Sequence, residues 1–278
     1  MRGVVAIAAL ILAGCGPLAD VRQPSPSRIL SLNPCTDAIL AQVADPAQIA
    51  GLSTYSSDPA QSSMDVALAR RFPANGGTIE EVLAVRPTMV IDGGFSSPAV
   101  QAAYRRAGIA YAGFGIARSI AENEAQIRQL ARLAGHPDRG EALIGRIEAA
   151  LQAGAPLAGA PRITALVWQG GGRVAGRETL IGEMIERTGF AHFSALRGLG
   201  QSQLLPVEQV MADPPQVILA VTHGQAEDRI LNHPALRSVA GLRRYRLDPA
   251  LEYCGGPTLI ALAGRLAHIR AELAGGGI

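Results

Sequence analysis

The sequence predicts an α/β protein of two lobes, each built on a mainly parallel sheet flanked by helices, and three observations carry that prediction. Residues 80–91, EEVLAVRPTMVI, and 208–219, EQVMADPPQVIL, align without a gap. Glu80 falls on Glu208, Val82 on Val210, Ala84 on Ala212 and Pro87 on Pro215. Each copy reads as a short helix, a proline stop and a buried strand. The offset is far longer than the roughly 20 to 50 residues of a solenoid repeat, so a paired lobe explains it better than an array. Residues 119–151 carry helical spacing and many charges, interrupted near Gly135-His136-Pro137, but no good strand, as a connector would. The breaker-rich stretch 154–161 then restarts the pattern with a strand at Arg162.

In the first lobe RILSL, from Arg28, is a strand, and Asn33-Pro34 supplies a helix cap and a first-turn proline before AILAQVA. Thr78 and Glu81 form a capping-box pattern after Gly76-Gly77, and Pro87 closes that helix before the strand TMVIDG. A helix over 99–107 and a strand over 109–114 complete an alternating lobe whose strands should pair in parallel. In the second lobe RITALVW is a strand, followed by a helix over 180–188, the second copy of the repeat with a strand ending at His223, and a strand-turn-helix from Tyr245 to Glu272. The expected division is 28–118, 119–153 and 160–278.

Composition narrows the function. The chain has 278 residues, 48% hydrophobic and 17% charged, enough for substantial cores. A net charge of +2 and only 4% aromatic residues argue against a nucleic-acid footprint or a base-stacking platform. The apolar run Val4 to Ala13 follows Met1-Arg2 and has the length of a secretory signal rather than a membrane span. Leu12-Ala13-Gly14-Cys15 resembles the bacterial lipobox, so residues 1–14 should be a leader, Cys15 the lipidated first residue, and 15–27 a proline- and serine-bearing tether. This implies a protein outside the cytoplasm, held to a membrane by its lipid.

RILSLNPCTDAIL, AGLSTYSSDP, IEEVLAVRPTMVI, the helical connector, RITALVWQGGGRVAGRETLIGEMIERTG and PVEQVMADPPQVIL together resemble the periplasmic binding proteins for ferric siderophores, haem and cobalamin. The resemblance runs collinearly from about Arg28 to Ala274. It implies two α/β lobes joined by a long rigid helix, a ligand cleft between them, and service to an ABC importer as a monomer. It also implies that Glu80 and Glu208 dock on arginines of the membrane permease; the bland alternative is that each carboxylate simply complements its helix dipole. The implied cargo is a metal chelate, a ferric siderophore first, then haem or cobalamin, with no permanently bound cofactor and no bond chemistry.

Ligands of open α/β sheets sit beyond the carboxyl ends of strands. That rule selects Asn33, Cys35, Thr36, Tyr55, Gly94 and Phe95 in the first lobe, and Trp168, Gln169, His223, Tyr253 and Cys254 in the second. Tyr55 matches a ligand-contacting tyrosine of the cobalamin-binding members. Trp168 suits stacking on a planar ligand or burial, and His223 suits a metal ligand or a structural hydrogen bond. Three readings fit Cys35 and Cys254: small buried residues, a disulfide, or sulfur contacts to a metal-bearing ligand. The rival functions are a chelate chaperone that needs no permease and an envelope thiol enzyme using Cys35 with His223 as base.

Overall fold

The computed structural model describes residues 27–222, 229 and 232–275. The leader, Cys15, nearly all of the tether and His223 lie outside the described residues.

The N-terminal lobe starts with β1 (Ile29–Ser31), a fully buried strand. The Asn33 side-chain oxygen accepts from the N–H groups of Cys35 and Thr36 and so caps α1 (Pro34–Val43), with proline in the first turn as expected. There follow β2 (Ile49–Ser53), the single turn α2 (Val66–Ala69), β3 (Ala74–Asn75), α3 (Ile79–Val85), β4 (Met89–Asp92), α4 (Pro98–Arg106) and β5 (Ala110–Gly113). Thr78 and Glu81 close the expected capping box on α3. The helix stops at Arg86, the one non-glycine residue with positive φ among the described residues (φ 52°). The following proline disfavours a right-handed helical residue there. The strands lie in the order β3-β2-β1-β4-β5, and every pair is parallel.

Two helices, α5 (Ile120–Leu133) and α6 (Pro137–Gly154), form the connector. The one long helix implied by the resemblance is corrected to two, divided at the interruption near Gly135-His136-Pro137 that the sequence shows. Gly135 adopts φ +81°, and Pro137 cannot continue the preceding hydrogen-bond ladder, so the chain turns and starts again.

The C-terminal lobe comprises β6 (Ile163–Trp168), β7 (Arg173–Val174), α7 (Leu180–Arg187), β8 (Phe190–His192), β9 (Gln203–Leu204), α8 (Val207–Ala212), β10 (Val217–Val221), α9 (Pro234–Arg237), β11 (Arg243–Leu247) and α10 (Thr258–Gly275). Its sheet runs β11-β10-β6-β7-β9, with β8 also pairing β6. The pairs of β6 with β8 and β10, and of β10 with β11, are parallel, whereas β7 runs antiparallel to both β6 and β9. Both copies of the repeated line fold alike, α3 leading into β4 and α8 into β10.

The connector fixes the lobes to each other. Helix α5 packs on α1 and α7, and α6 packs on α1 and α10. Ile127 and Leu130 of α5 and Leu143 and Ile147 of α6 share one buried cluster with Leu40 and Val43 of the first lobe and Leu259 and Leu266 of the second. Each such side chain contributes about 1.5–3 kcal/mol on burial, so separating the lobes would expose a core rather than bend a linker. Among the described residues, no helix is long and apolar enough to cross a membrane.

Candidate functional site

A cleft of about 390 Å³ opens between the lobes beyond the carboxyl ends of their strands, where the topology places it. Its first wall comes from the N-terminal lobe and the start of the connector. The Asp92 carboxylate, at the end of β4, accepts from the Tyr111 hydroxyl at 2.7 Å, from the Gly94 N–H at 2.6 Å and from the Ser96 hydroxyl. Burial and this carboxylate push the Tyr111 hydroxyl up to about 12, so it stays a donor. Gly94, at φ +80°, lets the chain reverse over Asp92 and leaves Phe95 78% exposed at the lip. Ile116, 79% exposed, extends the same apolar lip.

The opposite wall is polar. Gln169, just past β6, donates its amide to Glu252 Oε1 and accepts from the Ser202 hydroxyl at 2.9 Å. Burial raises the Glu252 carboxyl above its ordinary range, and the Gln169 bond offsets part of that shift. Glu178 accepts from Gln201 at 2.9 Å on the same side.

Cys35 and Cys254 meet in this cleft as a disulfide, with Cα atoms 5.0 Å apart. That settles the three readings in favour of the bridge, and it corrects the thiol-enzyme alternative: a bridged Cys35 offers neither nucleophile nor thiolate ligand. The bridge joins the first turn of α1 to the loop before α10. Beside it the Tyr253 hydroxyl donates to Ala60 O at 3.1 Å, and the Gly256 N–H donates to Asn123 Oδ1 at 2.6 Å, so the same loop is tied to the first lobe and to the connector.

Six of the expected residues line the cleft: Asn33, Cys35, Phe95, Gln169, Tyr253 and Cys254. Gly94 does not, although it shapes the turn between lining residues Gly93 and Phe95. Thr36 is buried, its hydroxyl donating to Asn33 O at 2.9 Å and accepting from the Ser31 hydroxyl at 2.8 Å, so it fixes the start of α1 instead of facing ligand. Tyr55 is half exposed on a 3-10 turn outside the lining. Trp168 is buried among Leu166, Val174 and Phe193, which selects the core reading over stacking. His223 lies outside the described residues.

Sequence reasoning missed Ile116, Arg118, Gln126, Glu178, Gln201, Ser202 and Glu252. Glu252 was within reach, since it directly precedes Tyr253-Cys254 at a strand-to-helix turn. Gln201 and Ser202 lie just before a two-residue strand, β9, that has no apolar pattern to announce it. Among the described residues no three His, Cys, Asp or Glu side chains gather to hold a bare metal ion.

Away from the cleft, Glu80 and Glu208 are both exposed in the first turn of α3 and α8. Strands β3 and β9 are two-residue edge strands that lead into those helices, so the carboxylates occupy equivalent places in the two sheets.

The family model for periplasmic binding proteins matches residues 29–249. The chain belongs to the periplasmic binding protein family. The family consists of binding proteins rather than enzymes. A periplasmic heme-binding protein from Pseudomonas aeruginosa shares the fold with a TM-score of 0.68 at 22% identity, over 88% of this chain and 92% of that one. The periplasmic heme-binding protein HutB of Vibrio cholerae aligns with a TM-score of 0.70 at 18% identity, over 88% and 99%. The vitamin B12-binding protein BtuF of Vibrio cholerae aligns with a TM-score of 0.65 at 18% identity, over 90% and 99%. A comparison with curated protein sequences finds no match.

Proposed function

We propose that this protein is the extracytoplasmic substrate-binding component of an ABC importer, which captures a metal chelate between its lobes and delivers it to a membrane permease. The observation that carries the reading is the pair of exposed, topologically equivalent carboxylates, Glu80 and Glu208, on a fold whose solved relatives are named for binding heme or vitamin B12. An exposed carboxylate on each lobe, matched to basic sites on a two-fold symmetric permease, sets the orientation and rate of docking more than its affinity. The boundaries 28–118, 119–153 and 160–278 describe its lobes and connector, and lipid on Cys15 would keep it at the membrane surface. A ferric siderophore is the first candidate cargo, followed by haem and cobalamin.

The test combines calorimetric binding with uptake in cells. Saturable binding of one chelate together with uptake that requires the protein supports the proposal. Binding without any dependence of uptake on Glu80 and Glu208 would favour a chelate chaperone that hands its cargo to another soluble protein.

A further inference from the structure

The two walls of the cleft differ in charge, and that difference constrains the cargo. Its lining holds one guanidinium, Arg118, and two carboxylates, Glu178 and Glu252. Arg118 is already engaged: its N–H donates to Glu122 Oε2 at 2.8 Å, and its Nη2 lies 3.4 Å from Glu122 Oε1. Glu252 is partly buried, with Oε1 held by Gln169 and no cation within salt-bridge range among the described residues. A carboxylate withdrawn from water without a counter-ion is costly, which is why its proton affinity is raised, and a ligand that brings the missing positive charge or donor relieves that cost. Gln169 is itself positioned by Ser202, so the free oxygen of Glu252 is presented in a fixed direction. The remaining polar lining, such as Asn33, Gln126 and Gln201, is neutral.

We propose that the cleft selects a chelate of zero or positive net charge, seated with an apolar face on Phe95 and Ile116 and a cationic or hydrogen-bond-donating group at Glu252. The proposal rests on the chelate-binding reading above and narrows its cargo. A polyanionic chelate would meet two carboxylates and one guanidinium that Glu122 already neutralises, with like charges raising its cost of entry.

The experiment is calorimetric titration of the purified full chain with five probes: a cationic and a neutral ferric trihydroxamate, cobalamin, an anionic ferric triscatecholate, and haem with its two propionates. The expected result is that a non-anionic probe binds at least about tenfold more tightly than either anionic one. Glu252→Gln should shrink that preference by about tenfold, and raising the salt to about 0.5 M should weaken binding of a cationic probe. Glu178→Gln, a change at an exposed site, repeats the charge test where Glu252→Gln fails to fold. Tightest binding by the triscatecholate or haem overturns this inference and leaves the binding-protein reading intact. A preference unchanged in both variants overturns the role of the carboxylates. Binding of no probe overturns both the inference and the reading on which it rests.

Discussion

The two lobes share a plan and differ where the ligand would sit. In each, the first strand (β1 or β6) pairs in parallel with the strand of the repeated line (β4 or β10), which in turn pairs with an outer strand (β5 or β11). At the opposite edge a two-residue strand feeds the repeated helix. Between these, the first lobe has the single strand β2, whereas the second divides the place between β8, along the start of β6, and β7, at its end. Antiparallel β7 and β9 bring the chain carrying Gln201 and Ser202 to the cleft. The common plan thus repeats the proposed docking carboxylates, and the departure from it builds the polar wall that faces the apolar lip of Phe95 and Ile116. Buried charge is also unequal: the first lobe buries Asp37 and Asp92, whereas the second withdraws Glu252 from water only in part.

The bridge between the lobes gives the largest expected effect. Cys35 and Cys254 are 219 residues apart in sequence. Closing so long a loop restricts the unfolded chain, and replacing both cysteines with serine should cost about 3–5 kcal/mol. In a chain of this size that lowers the melting temperature by roughly 10 °C in scanning calorimetry. A fall of less than about 2 °C would show that the shared core alone fixes the lobes.

The buried acid of the first lobe should make stability depend on pH. Asp37 Oδ2 accepts from the Ser53 N–H at 2.9 Å, the Ser53 hydroxyl at 2.8 Å and the Ser56 hydroxyl at 2.7 Å. Burial outweighs these bonds and raises its carboxyl from 3.8 to about 6. Between those values the folded state holds a proton that the unfolded state releases, so this group's contribution is most favourable below the unfolded value and declines as pH rises through the folded one. The decline amounts to about 3 kcal/mol in all. Asp37→Asn should remove this component from urea midpoints measured between pH 4.5 and 7. An unchanged slope would place the titration elsewhere.

Charge reversal tests the symmetry of docking. Glu80→Arg and Glu208→Arg should each slow uptake by roughly tenfold, and together more, while chelate affinity in solution changes by less than about twofold. Loss confined to one variant would mean that only one lobe docks.

Much of this architecture was legible in the sequence because it rests on local signals. The Asn33-Pro34 cap, the Thr78-Glu81 box and the twin lines each declare a helix start or a strand without reference to distant residues. The break at Gly135-His136-Pro137 was equally visible as an interruption of the helical spacing, and only the family resemblance implied a single connecting helix. Pairings across the cleft are different in kind. Nothing local to Cys35 states that Cys254 lies within bridging distance, and nothing around Gln201 or Ser202 indicates that they support Gln169. Trp168 shows the converse limit: its place at a strand end suited a ligand contact, but the packing of Phe193 and Val174 buries it. Tyr55 likewise stood at a strand-to-helix turn, on a segment that proves to lie outside the lining.

Whether the interlobe cleft holds the cargo is tested most directly by calorimetry on paired variants. With the chelate that binds the unmodified protein, Phe95→Ala should weaken binding by about fivefold to tenfold, or about 1–1.4 kcal/mol. Tyr55→Ala, outside the lining, should change it by less than about twofold. Equal affinity in the unmodified protein and the Phe95 variant, with loss in the Tyr55 variant, would contradict the account and move the site to the turn that follows β2.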